Sequence, residues 1–185
     1  MARVAYQGAP GAYSHEACLR LLPHDDPVAF EDFAGAIQAV ISGDCESALL
    51  PVENTTAGRV PGVAELIASS GLHVSADAWL PIRHQLIAIP DTTTGAIRSV
   101  RSHAMALAQC GKTIRKLRIK PVEAFDTAGA AQELAESPNP SVGVIASRAA
   151  AELYGLQILL PNIEDDPDNA TLFAVVSKEP RPLGR

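Results

Sequence analysis

The stretch "RVAYQGAPGAYSHEACLRLL", residues 3–22, alternates through Gln7, breaks at two glycines and then repeats its apolar residues at helical spacing. It reads as strand, glycine loop, helix. The same grammar recurs along the chain. "PVAF" is a short strand, and "DFAGAIQAVISGD" is a helix with Phe33, Ile37, Val40 and Ile41 on one face and a stop at Gly43. "ESALLPVEN" reads as a buried strand ending in polar residues, "GVAELIASSG" as a helix, and "LHVSADAWLPIRHQLIAIP" as two strands around a proline-marked bend.

The second half repeats the pattern: "IRSVRS" a strand, "HAMALAQCGKTIRKL" one helix, "KPVEAF" a strand, "TAGAAQELAES" a helix capped by Asp126 or Thr127. "SVGVIAS", "RAAAELYG" and "TLFAVVS" follow. Strands alternating with helices predict an α/β fold of parallel sheets with helices on their faces, and ligand loops at the carboxyl ends of the strands. The polar residues gather in such loops: Gly8 to Ser14, Glu53 to Arg59, Ser102 to His103, Asp126 to Thr127 and Asn169 to Thr171. Two lobes with a cleft between them are expected, with crossings near residues 78 and 165 and the last strand returning to the first lobe.

With 185 residues and 47% hydrophobic composition, the chain is long enough to bury a core. Fifteen basic against 21 acidic residues, no basic cluster and 4% aromatics leave little for phosphate neutralisation or base stacking, so nucleic acid is not an expected partner. Cys18, Cys45 and Cys110 are odd in number and widely spaced, which suits reduced thiols. No apolar run is long enough for a membrane helix and the start reads as strand and turn, so a cytoplasmic location is expected.

Three stretches carry competing readings. "GAPGAYS" either cradles an anion on the N–H groups of a helix start or is a tight turn; "PVENTTAGRV" is a site at a strand end or a capped loop; "DTAGAAQELA" has the look of a capped helix. Histidines and cysteines never fall at metal-ligand spacing, and "EDDPDN" lacks the glycine and final glutamate of a calcium loop, so no metal is expected. Cys110 reads as a small buried apolar residue, and Glu164 to Asp168 as a solvated loop with Asn169 as its contribution to a site.

Taken together, "AYQGAPGAYSHEA", "ALLPVENTTAGRV", "LPIRHQL", "SHAMALAQC", "DTAGAAQELA", "ASRAAAELYGL" and "IEDDPDNATLFAVVS" resemble the catalytic domain of prephenate dehydratase over nearly the whole chain. The resemblance implies two α/β lobes of the periplasmic-binding-protein type II kind, the first about residues 1–78 with 165–185 and the second about 79–164, without the C-terminal ACT regulatory domain. It implies decarboxylative dehydration of prephenate to phenylpyruvate, no cofactor, and a homodimer or higher homo-oligomer. Thr171 matches the catalytic threonine. Gly11, Ser14, Glu53, Asn54, Thr55, His84, Ser102, His103, Thr127, Ala128, Asn169 and Phe173 match substrate-binding positions.

Two departures stand out. Leu172 replaces the arginine of the Asn-x-Thr-Arg-Phe motif, and Ala104 and Met105 replace proline and glutamine. Without that arginine, a cation for the substrate carboxylates is sought among Arg59, Arg83, His84, His103 and Arg148, with helix ends at Gly11 and Thr127 in support. Arogenate dehydratase, a non-aromatising prephenate decarboxylase and a non-catalytic anion-binding module on the same fold are the alternatives; retention of Thr171 argues against the decarboxylase.

Overall fold

A computed structural model describes residues 1–180 and divides the chain into two compact units. One comprises Met1–Ala9, Tyr13–Ile82 and the chain from Asp168; the other comprises Pro10–Ala12 and Arg83–Pro167. The crossings at Ile82 and Pro167 lie slightly beyond the expected 78 and 165, because the strand ending at Pro81 continues through Trp79 and Leu80.

In the first unit β1 (Arg3–Gln7), β2 (Asp26–Phe30), β3 (Ser47–Asn54), β4 (Gly58–Arg59), β5 (His73–Pro81) and β11 (Ala170–Ser177) form one sheet in the order β2-β1-β3-β11-β5, with β4 on β3. Its helices are α1 (Tyr13–Leu21), α2 (Phe33–Ser42) and α3 (Val63–Ser70). The second unit holds β6 (Gln85–Ala88), β7 (Ser99–Ser102), β8 (Lys120–Glu123), β9 (Val142–Ala146) and β10 (Gln157–Leu160) in the order β10-β6-β9-β7-β8, with α4 (Ala104–Gln109), α5 (Gly111–Leu117), α6 (Thr127–Glu136) and α7 (Arg148–Leu153).

Both sheets are mixed, where parallel sheets were expected. Parallel pairs β1–β2, β1–β3, β7–β8 and β7–β9 follow the helical crossovers, but β11 runs antiparallel to β3 and β5, and β6 antiparallel to β9 and β10. Each inserted strand is the one that follows a crossing between units. No helix precedes it to return the chain in the parallel sense.

Apolar side chains fill both faces of each sheet. On one face of the first sheet Ala36, Ile37, Val40 and Val63 from α2 and α3 bury Ala5, Ala48, Leu50 and Val176. On the other, Ala17 and Cys18 of α1 meet Val4, Tyr6, Leu49, Phe173 and Val175. Around the second sheet α4, α5 and the Cys110 between them supply Ala106, Cys110 and Ile114, and α6 and α7 supply Ala130, Leu134, Ala150 and Ala151. Asp32 caps α2 by accepting from Gly35 N at 2.7 Å, and Gly43 ends it at φ +90°. Ile41 is exposed rather than on the buried face of α2, whose small residues Ala36 and Ala39 let the helix approach the sheet instead.

The expected single helix over 103–117 breaks at Cys110. Gly111 restarts it as α5, and the Asp165 carboxylate receives Lys112 N at 2.9 Å, satisfying a new helix start.

Candidate active site

β11 and β3 run antiparallel, and their register shifts once: Phe173 pairs with Pro51 and Leu172 with Glu53, leaving Val52 as the extra residue. Opposed residues in an antiparallel pair share a face, and a bulge reverses the alternation beyond it. By simple alternation Asn54 would project with Ala48 and Leu50 toward α2 and α3. The bulge instead pairs it with Thr171, on the same face as Phe173 and Val175.

Asn54 becomes a hub there. Its Nδ2 donates to Thr171 Oγ1 at 2.9 Å, Asn169 Oδ1 at 3.0 Å and Ala170 O at 3.0 Å. Its Oδ1 accepts from Thr56 N at 2.9 Å, Thr56 Oγ1 at 2.7 Å and Ala57 N at 2.9 Å. A backbone carbonyl only accepts and backbone N–H groups only donate, so the main chain alone fixes which way the amide points.

Thr55 closes the arrangement. Its N donates to Ala170 O at 2.9 Å, and its Oγ1 accepts from Ala170 N at 3.0 Å. Asn169 O accepts from Ile82 N at 2.8 Å. The loop after β3 is thereby bound to the start of β11, with Asn169 almost fully buried and Thr171 7% exposed. Asn54 is the only hydrogen-bond partner of Thr171 Oγ1 among the described residues, and a threonine hydroxyl has both a proton and two lone pairs.

Of the residues singled out in the sequence, Asn54, Thr55, Asn169 and Thr171 meet in the first unit, with Phe173 buried beneath them in the core. Glu53 is not with them: it shares the opposite face of the sheet with Leu172. Ser14 is buried in the first turn of α1.

In the second unit several expected binding groups have structural roles. Gly11 sits at φ +91°, where a Cβ would lie 2.9 Å from Ala150 Cα, and its carbonyl accepts from Ser147 Oγ at 2.6 Å. Ser102 is fully buried and its Oγ donates to Ile145 O at 2.6 Å. His103 caps α4, its Nδ1 accepting from Met105 N at 3.2 Å. Thr127 opens α6, but the Asp126 carboxylate receives Gly129 N and places its own negative charge at that helix end. Ala128 has no exposed surface.

The cation candidates divide in the same way. Burial lowers the His84 pKa, so near neutral pH it is an uncharged imidazole, with Nε2 2.8 Å from Gln109 Oε1. Arg83 pairs with Glu164 at 3.0 Å and donates to Pro167 O at 2.7 Å. Arg59 and Arg148 are exposed. The acidic run is not simply solvated: Glu164 also accepts from His84 N at 2.9 Å, and Asp165 caps α5. These carboxylates satisfy backbone donors that would otherwise be left without partners.

Burial pushes the Cys110 thiol upward, with Asp165 and Glu164 adding to the shift, which removes its nucleophilic character. No cluster of metal-ligating residues occurs among the described residues. No described helix is long and apolar enough to cross a membrane. A capped loop opened by Thr55 or Thr56 is one of the two readings of "PVENTTAGRV"; in the structure the capping side chain is Asn54, whose Oδ1 accepts from Thr56 N and Ala57 N in an Asx turn.

The family model "Prephenate dehydratase" matches residues 4–181. The chain is 40% identical over 178 residues to the chloroplastic arogenate dehydratase/prephenate dehydratase 1 of Arabidopsis thaliana, covering 96% of this chain and 45% of that protein. It is 39% identical over 180 residues to a bifunctional N-acyl-homoserine lactone acylase/prephenate dehydratase of Komagataeibacter europaeus, covering 97% and 64%. The chain thus spans about half to two thirds of the length of these relatives. Among solved structures, the quorum-quenching acylase GqqA superposes with a TM-score of 0.89 at 39% identity, over 99% of this chain and 66% of that one. The prephenate dehydratase of Arthrobacter aurescens, solved with L-Phe, shares the fold at a TM-score of 0.87 and 24% identity, over 99% and 62%.

Proposed function

Because the chain belongs to the prephenate dehydratase family, we propose that it carries out the decarboxylative dehydration of prephenate to phenylpyruvate, a step toward phenylalanine. The observation that carries this reading is the Thr171 hydroxyl, held 2.9 Å from Asn54 Nδ2 at the start of β11.

In the proposed reaction the bond from the ring carbon to its carboxylate breaks as carbon dioxide leaves. The electron pair enters the ring, and the C–O bond on the far side breaks, its pair departing with the hydroxyl group, which takes up a proton and leaves as water. Aromaticity drives the exchange, so the protein need only hold the dianion and assist the leaving oxygen. Thr171 donates a hydrogen bond there. It is a weak acid and acts as donor rather than strong general acid; one such donor is worth about 3 kcal/mol at a developing charge.

Arogenate, the amine analogue, is the second substrate proposed, because the Arabidopsis relative at 40% identity is named for both dehydratase activities. We propose Gly11, Ser14, Glu53, Thr55, His84, Ser102, His103, Thr127, Ala128, Asn169 and Phe173 as the residues that shape and support substrate binding. Since Ser102, Ala128 and Phe173 are buried and Glu53 shares the opposite face of the sheet with Leu172, the parts of these four are to support the site rather than touch ligand. A homodimer or higher homo-oligomer, and a cytoplasmic location consistent with three free thiols, complete the proposal.

Mass spectrometry of the products formed from prephenate and from arogenate tests it, with Thr171→Ala as control. Phenylpyruvate or phenylalanine formed by the native chain, and reduced at least about 100-fold in the variant, is the expected result. A dihydro-hydroxyphenylpyruvate product indicates decarboxylation without dehydration. Binding of either substrate without turnover indicates an anion-binding module, and each of these outcomes overturns the dehydratase reading.

A further inference from the structure

We infer that Asn54 is a positioning residue that aims the proton of Thr171, rather than a group that binds substrate. The inference rests on the dehydratase reading of Thr171. Three observations support it: the bulge at Val52 that turns Asn54 onto the Thr171 face, the 2.9 Å contact from Nδ2 to Oγ1, and the saturation of the Asn54 amide.

Saturation is the strongest of these. Two N–H protons serve three acceptors, and one carbonyl oxygen receives three donors. Such an amide has no remaining hydrogen-bonding capacity for a ligand unless the loop opens. By donating to Thr171 Oγ1 it occupies one lone pair of the hydroxyl. The proton of that hydroxyl cannot point back at an N–H donor, so it is directed elsewhere, available to a leaving oxygen. Donors aimed before the reaction cost no reorganisation when charge develops.

Asn54→Asp separates this role from a merely structural one. Its carboxylate retains oxygens that can accept from Thr56 N and Ala57 N, but it presents an acceptor where Thr171 had a donor. The Thr171 O–H then turns inward onto the carboxylate.

The expected result is a kcat reduced about 100-fold with KM held within about threefold. The variant's kcat should rise as pH is lowered from about 8 to about 5.5, because protonation toward the ordinary carboxyl pKa of about 3.9 restores a donor; the native chain should lack this rise. Circular dichroism and a urea midpoint establish that the variant is folded. Asn54→Ala, which also releases the loop, should lose kcat without the pH signature.

A raised KM with unchanged kcat would place Asn54 on the substrate and overturn the inference. Unchanged kcat and KM would overturn it too. Should the native chain turn over neither prephenate nor arogenate, the function fails on its own, and the Asn54 contact is read by nuclear magnetic resonance. The Asn54 side-chain amide protons should shift in Thr171→Val, and amide resonances that stay in place would overturn the inference.

Discussion

Leu172 lies directly opposite Glu53 on one neighbouring strand and Trp79 on the other. Successive residues of a strand point to opposite faces, so Leu172 and Thr171 serve different sides of the same sheet. An arginine at 172 would stand across from Glu53, and its guanidinium would start on the side away from the Thr171 hydroxyl. Leu172→Arg should therefore raise stability by about 0.2–1 kcal/mol through the cross-strand pair, read from a urea midpoint, and leave the Thr171-dependent kcat in place. A tenfold gain in kcat would show instead that the side chain reaches round to the Thr171 face. The replacement of the motif arginine by Leu172 is thus, in the strand, a change on the opposite face.

At the scale of elements, the turn over Pro10–Ala12 is held by two carbonyl contacts: Ser147 Oγ on Gly11 O at 2.6 Å and Tyr154 Oη on Pro10 O at 2.8 Å. Gly11→Ala puts a Cβ against the backbone of α7 at a positive φ. It should destabilise the chain by more than about 1 kcal/mol, measured by denaturant titration, since neither the helix backbone nor the φ can relax cheaply. Strand, loop and helix over 3–22 were legible because alternation, glycine and helical spacing change at definite residues. A cap at Asp126 or Thr127 was legible for the same local reason, and the structure assigns it to Asp126. Strand direction was not, because the antiparallel placement of β6 and β11 depends on where the chain crosses between units, and no local pattern records that. The hub at Asn54 was half legible: its motif was visible, but the bulge that turns it toward Thr171 depends on a partner 117 residues away.

At the scale of the whole molecule, pH acts through histidines held neutral by burial. His84 and His15 both have pKa values below the ordinary 6.5, with desolvation as the leading cause. As pH falls below about 6.5 the unfolded chain takes up protons that the folded chain refuses, so the unfolded state gains and folding stability declines down to the lowered folded pKa values. Urea midpoints collected from about pH 7.5 to pH 5 should fall across that window; a flat profile would mean that neither ring is desolvated as described. The same residues contribute their full stability above it.

The position of β11 also sets an order of events in biosynthesis. This strand is the last of the described chain to emerge, yet it fills the gap between β3 and β5 in the middle of the first sheet. Until it arrives, both neighbours present unpaired edges, the kind of surface on which nascent chains associate wrongly. Pairing Ser177 with Ser47 closes a contact across 130 residues, the slow, non-local kind of step in folding. Thr171 rides on the same strand, so a chain released from the ribosome too early would lack both the centre of its sheet and the hydroxyl proposed to assist the reaction, and completion of the fold and completion of the candidate site become one event.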